Sequence, residues 1–326
     1  MSLTKSIDHP PPNMRVRSAV DAPPRSPSFE IVGPHNAPVV VALGGISATA
    51  HITTTDTNSA PGWWNDIAGA GRAIDTKKYR VLGVEFLDGG RRRDGRPART
   101  VTTHDQAAAV ASVLDSLSVD RVHAFVGASY GGMVGLAFAE AYPERVDRLV
   151  AISAPHEPHP MSTALRALQR QVVQLGLDTG RTADALAIAR GIAMTTYRSA
   201  REFAERFDPR PVVSDGADAT FAVESYLKYH GERFAEQWSA ERFIALSLSG
   251  DLHRVNPSAI ETPTLIVAAE GDSIVPREQL ATLLLLLGGV RRLVHLPSTR
   301  GHDAFLTEPA ALGRILHNAI SKSILS

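Results

Sequence analysis

Apolar residues in the first half of the chain recur with two alternating periods. Short apolar runs rich in β-branched residues predict strands, which read SFEIVG, PVVVAL, YRVLGVEFL, RVHAFV and RLVAIS. Between them lie stretches with helical spacing, DQAAAVASVLDSL and MVGLAFAEAYPERV. Strands that alternate with helices of about ten or more residues predict an α/β fold, in which crossover helices connect a mostly parallel sheet.

The pattern changes in the second half of the chain and then returns. Residues 156–245 contain no strand-like run, and three segments there have helical periodicity: MSTALRALQRQVVQLG, TADALAIARGIAMTTY and FAVESYLKYHGERFAEQW. The alternation then resumes with TPTLIVAAEGD, REQLATLLLLLGG, RRLVHLPS and PAALGRILHNAI. We therefore predict one α/β core, residues 28–155 and 246–326, interrupted by a helical lid subdomain at 156–245.

The N-terminal segment differs from both regions in composition. Residues 1–27 are rich in proline, serine and charge, and we expect them to be poorly ordered apart from a candidate edge strand at 14–20. They lack the apolar core of a signal peptide, and no later stretch reaches about 18 uninterrupted apolar residues. The sequence therefore predicts a cytoplasmic protein.

Charge and cysteine content narrow the possible functions. Lysine plus arginine and aspartate plus glutamate each total 34 of the 326 residues, so no net field attracts the protein to nucleic acid or to an anionic membrane. Because the chain has no cysteine, disulfides, thiolate nucleophiles and cysteine-ligated zinc are excluded. A nucleophile must be an oxygen or a nitrogen, and we expect no metal site.

One motif places a serine where a predicted strand becomes a helix. Ser129 lies in the sequence GASYGG, with Gly127, Gly131 and Gly132 as small neighbours. The pattern GxSxG is short and arises by chance, but its position after RVHAFV is the one that a nucleophile elbow requires. There the serine backbone is strained and its hydroxyl projects above the carboxyl edge of the sheet.

A serine nucleophile needs a base to take its proton and a carboxylate to orient that base. In α/β-hydrolases the order along the chain is serine, acid, histidine, with the last two on loops after late strands. Asp272 follows the strand TLIVAA, and His302 follows the next strand, RRLVHL. Position alone therefore favours Asp272 and His302 as partners of Ser129.

Other acidic and histidine residues offer weaker alternatives. Asp251 and His253 in SGDLHRV are a rival pair, but no predicted strand precedes them. His295 lies inside a predicted strand, and we expect it to be a packing residue.

Acyl transfer also requires donors for the oxyanion. The backbone amide of Tyr130, directly after the nucleophile, is one candidate. The second is the amide of Ile46, in the turn GGIS after the strand VVVAL, where Gly44 and Gly45 allow close approach of a substrate. The alternative is an ordinary glycine turn. A phosphate-binding loop is disfavoured because no GK[ST] follows.

Several motifs in order resemble the homoserine O-acyltransferase family of the α/β-hydrolase superfamily. They are GWWNDIAGAGRAIDTKKYRVLG, GASYGGM, ARGIAMTTYRS, ESYLKYHGERF and GHDAFL. The resemblance spans about residues 44–306 and implies the α/β-hydrolase fold with a catalytic triad of Ser129, Asp272 and His302. It further implies acyl-CoA as co-substrate with no cofactor, L-homoserine as acceptor in methionine biosynthesis, and a homodimer.

The same resemblance suggests how the acceptor is held. It assigns Arg190 and Tyr197, on the lid, and Asp303, beside the catalytic histidine, to the amino-acid substrate. A guanidinium suits its carboxylate and a carboxylate suits its ammonium. The alternative from the residues alone is that Arg190 forms a surface salt bridge and Asp303 caps a turn.

Two features resemble the O-succinyltransferase branch of the family. The chain has GGISA and a short segment, EFLDGGRRRDGRPAR, where many members have a different oxyanion loop and a long insertion. We therefore expect succinyl rather than acetyl transfer, with serine as acceptor still open. Arg91, Arg92 and Arg93 either meet a coenzyme A phosphate or the succinyl carboxylate, or are simply solvated. A serine hydrolase of the esterase type and a ligand-binding receptor of the same fold are the alternative functions.

Overall fold

The computed structural model describes residues 27–215 and 218–322. The predictions made for residues 1–26, including the edge strand at 14–20, lie outside the described residues. The strands are β1 (Phe29–Val32), β2 (Val39–Leu43), β3 (Ala68–Gly69), β4 (Ile74–Asp75), β5 (Arg80–Val84), β6 (Ala124–Ala128), β7 (Leu149–Ile152), β8 (Val213–Asp215), β9 (Asp218–Thr220), β10 (Thr264–Ala269) and β11 (Arg291–Leu296). The helices are α1 (Thr103–Ser116), α2 (Tyr130–Ala141), α3 (Pro160–Asp178), α4 (Thr182–Tyr197), α5 (Ala200–Arg206), α6 (Ala222–Gln237), α7 (Ala240–Asp251), α8 (Arg277–Leu286), α9 (Ala304–Thr307) and α10 (Pro309–Ser321).

Seven strands form the central sheet in the order β1-β5-β2-β6-β7-β10-β11. All neighbours run parallel except β1, which is antiparallel to β5. The prediction of a mostly parallel sheet is therefore confirmed. Because β6, β7, β10 and β11 are consecutive neighbours, the loops at their carboxyl ends open on the same edge of the sheet.

Both faces of the sheet are covered, which is why the inner strands read as continuous apolar runs. In β2, Val41 and Leu43 belong to a hydrophobic cluster with α1, α2 and α8. Val40 and Ala42 point to the other face and join a cluster with α10. Every residue of β2 and β6 is buried, so these strands form a rigid support for the loops that follow them.

β11 differs from the inner strands because it lies at the edge of the sheet. His295 is exposed there, so the prediction that it is a packing residue is wrong. An edge strand has a neighbour on one side only, and its outward residues meet solvent.

Helices α3 to α6 and the hairpin β8–β9 follow β7, in the region predicted as a lid. α4 packs against both α3 and α6. The expected boundary at residue 245 falls within α7, whose Phe243 and Ile244 join a cluster with α3 and α4 while Leu246 belongs to the core of the sheet. α7 therefore connects the two regions, and their division into core and lid stays a prediction.

No helix among the described residues combines the length and the apolar character needed to cross a membrane.

Candidate active site

Ser129 occupies a strained turn between β6 and α2. Its backbone has φ 54° and ψ −119°, in the left-handed half of φ space that residues with a side chain rarely adopt. Its amide donates to the Ile152 carbonyl at 2.8 Å, which ties the turn to β7. The turn therefore holds the hydroxyl at the carboxyl edge of the sheet, as in a nucleophile elbow.

The glycines of the motif permit this turn because backbone segments meet there without room for side chains. A Cβ at Gly131 would lie 2.3 Å from the Leu43 carbonyl oxygen, and one at Gly127 would lie 2.3 Å from the carbonyl oxygen of Gly131. Both distances are far below van der Waals contact. The amide of Gly131 also donates to the Gly44 carbonyl at 2.9 Å, so the elbow is fastened to the loop after β2.

The structure brings together the three residues predicted as a triad. His302 Nε2 lies 2.7 Å from Ser129 Oγ, and His302 Nδ1 lies 2.7 Å from Asp272 Oδ2. The other carboxylate oxygen, Asp272 Oδ1, accepts hydrogen bonds from the amides of Ile274 and Val275, each at 2.9 Å. A carboxylate held in this way accepts the Nδ1 proton, and Nε2 is left free to accept the serine proton.

The acid and the base reach the serine from neighbouring strands. Asp272 follows β10, and His302 lies in a short 3₁₀ turn, Gly301–Asp303, after β11. β10 and β11 pair in parallel from Thr264 with Arg291 onward, so their following loops meet beside the elbow. Gly301 has φ +63°, a conformation that glycine adopts without strain.

The electrostatic surroundings keep His302 basic. Burial lowers the pKa of its imidazole, but the charge and hydrogen bond of Asp272 raise it, as does the charge of Asp303. The charge of Arg166 acts in the lowering direction. The net result is a pKa above the ordinary value of 6.5, which suits a general base near neutral pH.

A pH dependence of acylation follows from this shift. Protonated His302 cannot accept the serine proton, and a raised pKa keeps the ring protonated to higher pH. The rate of Ser129 acylation is therefore expected to rise with pH through an apparent pKa above 6.5. Asp303→Asn removes a charge that raises the pKa, so it should move this limb to lower pH, whereas Asp178→Asn, an exposed carboxylate elsewhere, should not.

The measurement is the rate of thiol release in the first turnover as a function of pH. A limb that keeps its position in Asp303→Asn would contradict the electrostatic assignment.

The predicted oxyanion donors lie next to Ser129. A Cβ at Gly45 would be 3.9 Å from Ser129 Cβ, and Ile46 lines the same cavity as Ser129 and His302. In the described part of the chain, neither the Ile46 amide nor the Tyr130 amide donates a backbone hydrogen bond. Tyr130 also begins α2, so the helix N-terminus faces negative charge that develops at the serine.

The side chain of Tyr130 has a separate, structural position. Its hydroxyl is buried, lies 2.7 Å from Ser249 Oγ and accepts from Gln106 Nε2 at 3.3 Å. Burial raises the pKa of this phenol to about 12. The side chain therefore anchors α2 and stays protonated near neutral pH.

Of the residues that the resemblance assigns to the acceptor, Tyr197 lies beside the imidazole and Arg190 lies beside Tyr197. The ring centroids of Tyr197 and His302 are 5.9 Å apart. The Arg190 guanidinium lies 5.6 Å from the Tyr197 centroid and 5.3 Å from that of Phe234. Among residues 27–215 and 218–322, no carboxylate pairs with Arg190, so the surface salt bridge considered for it is not formed.

The third residue, Asp303, has a partner that the sequence did not indicate. Its Oδ2 lies 2.8 Å from Arg198 Nε, in an ion pair without the alignment of a hydrogen bond. The carboxylate does not cap the following helix, α9, so the alternative of a turn cap is wrong. Arg198 also contacts Glu202, which in turn binds Arg300 at 2.6 Å.

Asp251 and His253, the rival pair, have other partners and do not join the triad. His253 is buried between Thr103 Oγ1 at 2.8 Å and the Pro155 carbonyl at 3.0 Å, and burial lowers its pKa to about 3. Asp251 binds Arg166 and Arg170, each at 2.6 Å. Neither rival contacts Ser129. The pair is structural, and its arginine partners are residues that sequence reasoning missed.

The arginine run after β5 does not reach the site. The side chains of Arg91 and Arg92 are 64% and 62% exposed, Arg93 is exposed, and none of the three lines the cavity beside Ser129. A role in binding the succinyl carboxylate is therefore not supported, and solvated side chains describe them better.

That cavity has an empty volume of about 590 Å³, which includes space open to solvent. Within residues 27–215 and 218–322, no group of histidine, aspartate or glutamate side chains is arranged as a metal site. The absence of a cofactor stays a prediction.

Comparisons with known proteins agree with this geometry. A family model described as the alpha/beta hydrolase fold matches residues 38–309. The homoserine O-succinyltransferase of Xanthomonas campestris pv. campestris is 40% identical over 317 residues, which cover 95% of this chain and 85% of that protein. The homoserine O-acetyltransferase of Thermus thermophilus is 32% identical over 281 residues, covering 78% and 71%.

Among solved structures, the homoserine O-acetyltransferase from Bacillus anthracis superposes with a TM-score of 0.82 at 18% identity, over 91% of this chain and 92% of that one. At this identity the likeness concerns the fold alone.

Proposed function

Since the chain belongs to the homoserine O-acyltransferase family of the α/β-hydrolase fold, we propose that it transfers an acyl group from acyl-CoA to the hydroxyl of L-homoserine. Succinyl is the favoured acyl group, and the reaction passes through an ester of Ser129. The product serves methionine biosynthesis, and the protein acts as a cytoplasmic homodimer.

In the first half-reaction, His302 Nε2 takes the proton of Ser129 as Oγ attacks the thioester carbonyl. The new C–O bond forms a tetrahedral oxyanion, which the amides of Ile46 and Tyr130 stabilise. The C–S bond then breaks, and the imidazolium returns its proton to the leaving thiolate. Asp272 stabilises the imidazolium through its 2.7 Å contact with Nδ1.

In the second half-reaction, homoserine replaces coenzyme A. Arg190 holds its carboxylate, with Tyr197 beside it, and Asp303 accepts hydrogen bonds from its ammonium through Oδ1 while Oδ2 stays with Arg198. His302 then takes the proton of the homoserine hydroxyl, which attacks the acyl-serine carbonyl. The bond between the acyl carbon and Ser129 Oγ then breaks, and the imidazolium of His302 gives its proton to Oγ.

The unpaired guanidinium of Arg190 is the observation that favours an amino acid as acceptor. Its guanidinium pairs with no carboxylate of the described chain, yet it is stacked on a ring that lies 5.9 Å from the His302 ring. A cation without a carboxylate partner, next to a ring that faces the catalytic histidine, suits an amino-acid carboxylate. An esterase of neutral substrates has no use for it.

The function is tested by supplying donor and acceptor separately. The protein is incubated with succinyl-CoA or acetyl-CoA, with homoserine, serine or no acceptor, while free thiol and ester product are followed. We expect thiol release beyond the first turnover to depend on homoserine and to match O-succinylhomoserine formation. Continued release over many turnovers without an acceptor and without an ester product would instead identify a hydrolase.

Arg190→Ala is expected to separate the two half-reactions. It should lower kcat/KM for homoserine roughly 10- to 100-fold, the value of charge-assisted hydrogen bonds to a carboxylate. Acylation of Ser129 in the absence of acceptor should change little. Arg181→Ala, at the start of the same helix with an exposed side chain, is the matched control. Equal loss in both half-reactions would contradict the assigned role.

A further inference from the structure

A buried glutamate on α5 joins two segments that flank the proposed acceptor site. The side chain of Glu202 is only 5% exposed. Its Oε1 accepts hydrogen bonds from Arg198 Nη1 at 2.9 Å and from Arg300 Nη1 at 2.6 Å. Arg198 directly follows α4, and Arg300 directly precedes the turn that carries His302. Glu202 therefore contacts both the end of α4 and the loop of the catalytic base.

Arg198 lies between two carboxylates and contacts them in different ways. Its Nη1 makes an aligned hydrogen bond to Glu202. Its Nε lies 2.8 Å from Asp303 Oδ2 but makes no hydrogen bond, because the N–H is not aligned with that oxygen. An arginine that pairs with one carboxylate frequently makes two parallel hydrogen bonds to it. The hydrogen bond to Glu202 thus holds the guanidinium in an orientation that brings its charge, but not its donors, to Asp303.

Asp303 is consequently a carboxylate beside the catalytic base whose oxygens lack donors. Within residues 27–215 and 218–322, no group makes a hydrogen bond to either of its carboxylate oxygens. The side chain is only 16% exposed, and its charge acts on the imidazole of His302. A mostly buried carboxylate without hydrogen bonds costs free energy. A ligand ammonium supplies the donors that this carboxylate lacks.

On the basis of the proposed function, in which Asp303 binds the ammonium of the acceptor, we propose that Glu202 is a positioning residue for acceptor binding. It prevents Arg198 from hydrogen-bonding to Asp303 and so keeps that carboxylate available for the ammonium. Without the charge of Glu202, Arg198 can turn and form a bidentate pair with Asp303. A carboxylate paired in this way binds a second cation more weakly, because its lone pairs are occupied. Glu202 itself touches neither substrate.

The alternative is that Glu202 only fastens α5 to the loop of His302 through Arg300. Two observations favour the positioning role. Glu202 Oε2 is buried and, among the described residues, has no hydrogen-bond partner, whereas a buried ion pair contributes to stability only when its remaining oxygens are satisfied. In addition, Ser199 Oγ donates to the Thr299 carbonyl, which joins the same loop to the start of α5 without Glu202.

Two acceptors of the same length test the proposal. Homoserine and 4-hydroxybutyrate have the same carbon chain, carboxylate and terminal hydroxyl, but only homoserine carries an ammonium. Transfer from saturating succinyl-CoA to each acceptor gives kcat and KM, and thiol release in the first turnover gives the rate of acylation separately. We expect the wild type to favour homoserine, because Asp303 has no group to bind in 4-hydroxybutyrate.

Glu202→Gln keeps the shape of the side chain and removes its charge. It should lower kcat/KM for homoserine roughly 3- to 10-fold through KM, a typical coupling within one ion-pair network. The value for 4-hydroxybutyrate and the rate of acylation should change little. Arg300→Met leaves Glu202 paired with Arg198 and should keep the preference for homoserine. Glu205→Gln is the matched control, since this exposed glutamate of the same helix pairs with Arg201.

The effect should also depend on Arg198. In an Arg198→Met background, Glu202→Gln should no longer change the preference, since no guanidinium is left to turn toward Asp303. Glu202→Asp, which retains the charge, should recover part of the homoserine value. A preference that Glu202→Gln leaves unchanged, or lowers equally with and without Arg198, would overturn the proposal. Equal loss with both acceptors, or the same loss in Arg300→Met, would assign Glu202 to fastening the loop and overturn it too.

Failure of the proposed function has a different signature, which the wild type alone reveals. Transfer to neither acceptor would reject the proposed function and the positioning role together. Equal use of both acceptors would reject Asp303 as the ammonium site, and the role of Glu202 with it, while the acyl transfer stands. If the wild type favours homoserine, the proposed function is supported, and Glu202→Gln then decides the positioning role alone.

Discussion

Ser129→Ala is expected to lower kcat for acyl transfer by about 10⁴- to 10⁶-fold, the range found when the nucleophile of such a triad is removed. The hydroxyl is the only protein group in the mechanism that forms a bond to the acyl carbon. Without it, His302 and the Ile46 and Tyr130 amides remain in place, but no acyl ester forms. The variant should still bind acyl-CoA, since the cavity keeps its charges and its shape.

A second serine provides the control for this substitution. Ser153 is also buried and also has a positive φ, 47°, and it follows the neighbouring strand β7. Among the described residues its hydroxyl has no hydrogen-bond partner and does not contact His302. Ser153→Ala should keep nearly full activity. Comparable loss in both variants would show that a strained serine at this edge serves the fold, and the nucleophile would have to be sought elsewhere.

Asp272→Asn is expected to lower kcat by about 10⁴-fold, because it imposes the wrong tautomer on His302. The amides of Ile274 and Val275 require an acceptor at Oδ1. The asparagine must therefore keep its oxygen there and turn its NH₂ group toward His302 Nδ1. Nδ1 then becomes the acceptor, the proton moves to Nε2, and Nε2 donates to Ser129 where it should accept.

Asp75 is a matched control for the backbone contacts of Asp272. Its Oδ1 also accepts two backbone hydrogen bonds, from Gly71 at 2.9 Å and Lys77 at 3.0 Å, but it contacts no residue of the site. Asp75→Asn should leave kcat nearly unchanged. Steady-state rates and thermal unfolding of both variants provide the check. A loss below about tenfold in Asp272→Asn would contradict the tautomer argument.

Much of the fold and the arrangement of the triad could be predicted because both depend on local patterns and on chain order. Continuous apolar runs predicted the inner strands, since both faces of this sheet are covered. Ser129 and Asp272 each follow such a strand, and His302 follows the edge strand β11. Parallel strands bring their carboxyl ends to one edge, so residues far apart in sequence meet without further information.

The contacts that the sequence did not predict depend on how helices pack. Arg166 and Arg170 lie one turn apart on α3, a spacing that places them on the same face. Their partner, however, is Asp251, 85 residues beyond Arg166, and nothing in the local pattern of α7 indicates that it faces α3. The sequence does not predict the pairing of Asp303 with Arg198 for the same reason.

The sequence did not predict the short hairpin β8–β9 or the short helix α5, for reasons other than helix packing. The hairpin β8–β9 is exposed along both strands, so burial imposes no alternation of apolar and polar residues on it. α5 has only seven residues, too few to establish a helical period.

The acyl ester of Ser129 is the intermediate on which the whole account depends. The direct test is to mix the wild-type protein with succinyl-CoA alone, quench with acid, and locate the added mass by peptide sequencing, then to repeat the experiment with a homoserine chase before the quench. We predict a succinyl group on Ser129 that homoserine removes as O-succinylhomoserine faster than water removes it as succinate. Product formation with no adduct on Ser129 in the unchased sample, or discharge at the same rate to succinate with and without homoserine, would contradict the account.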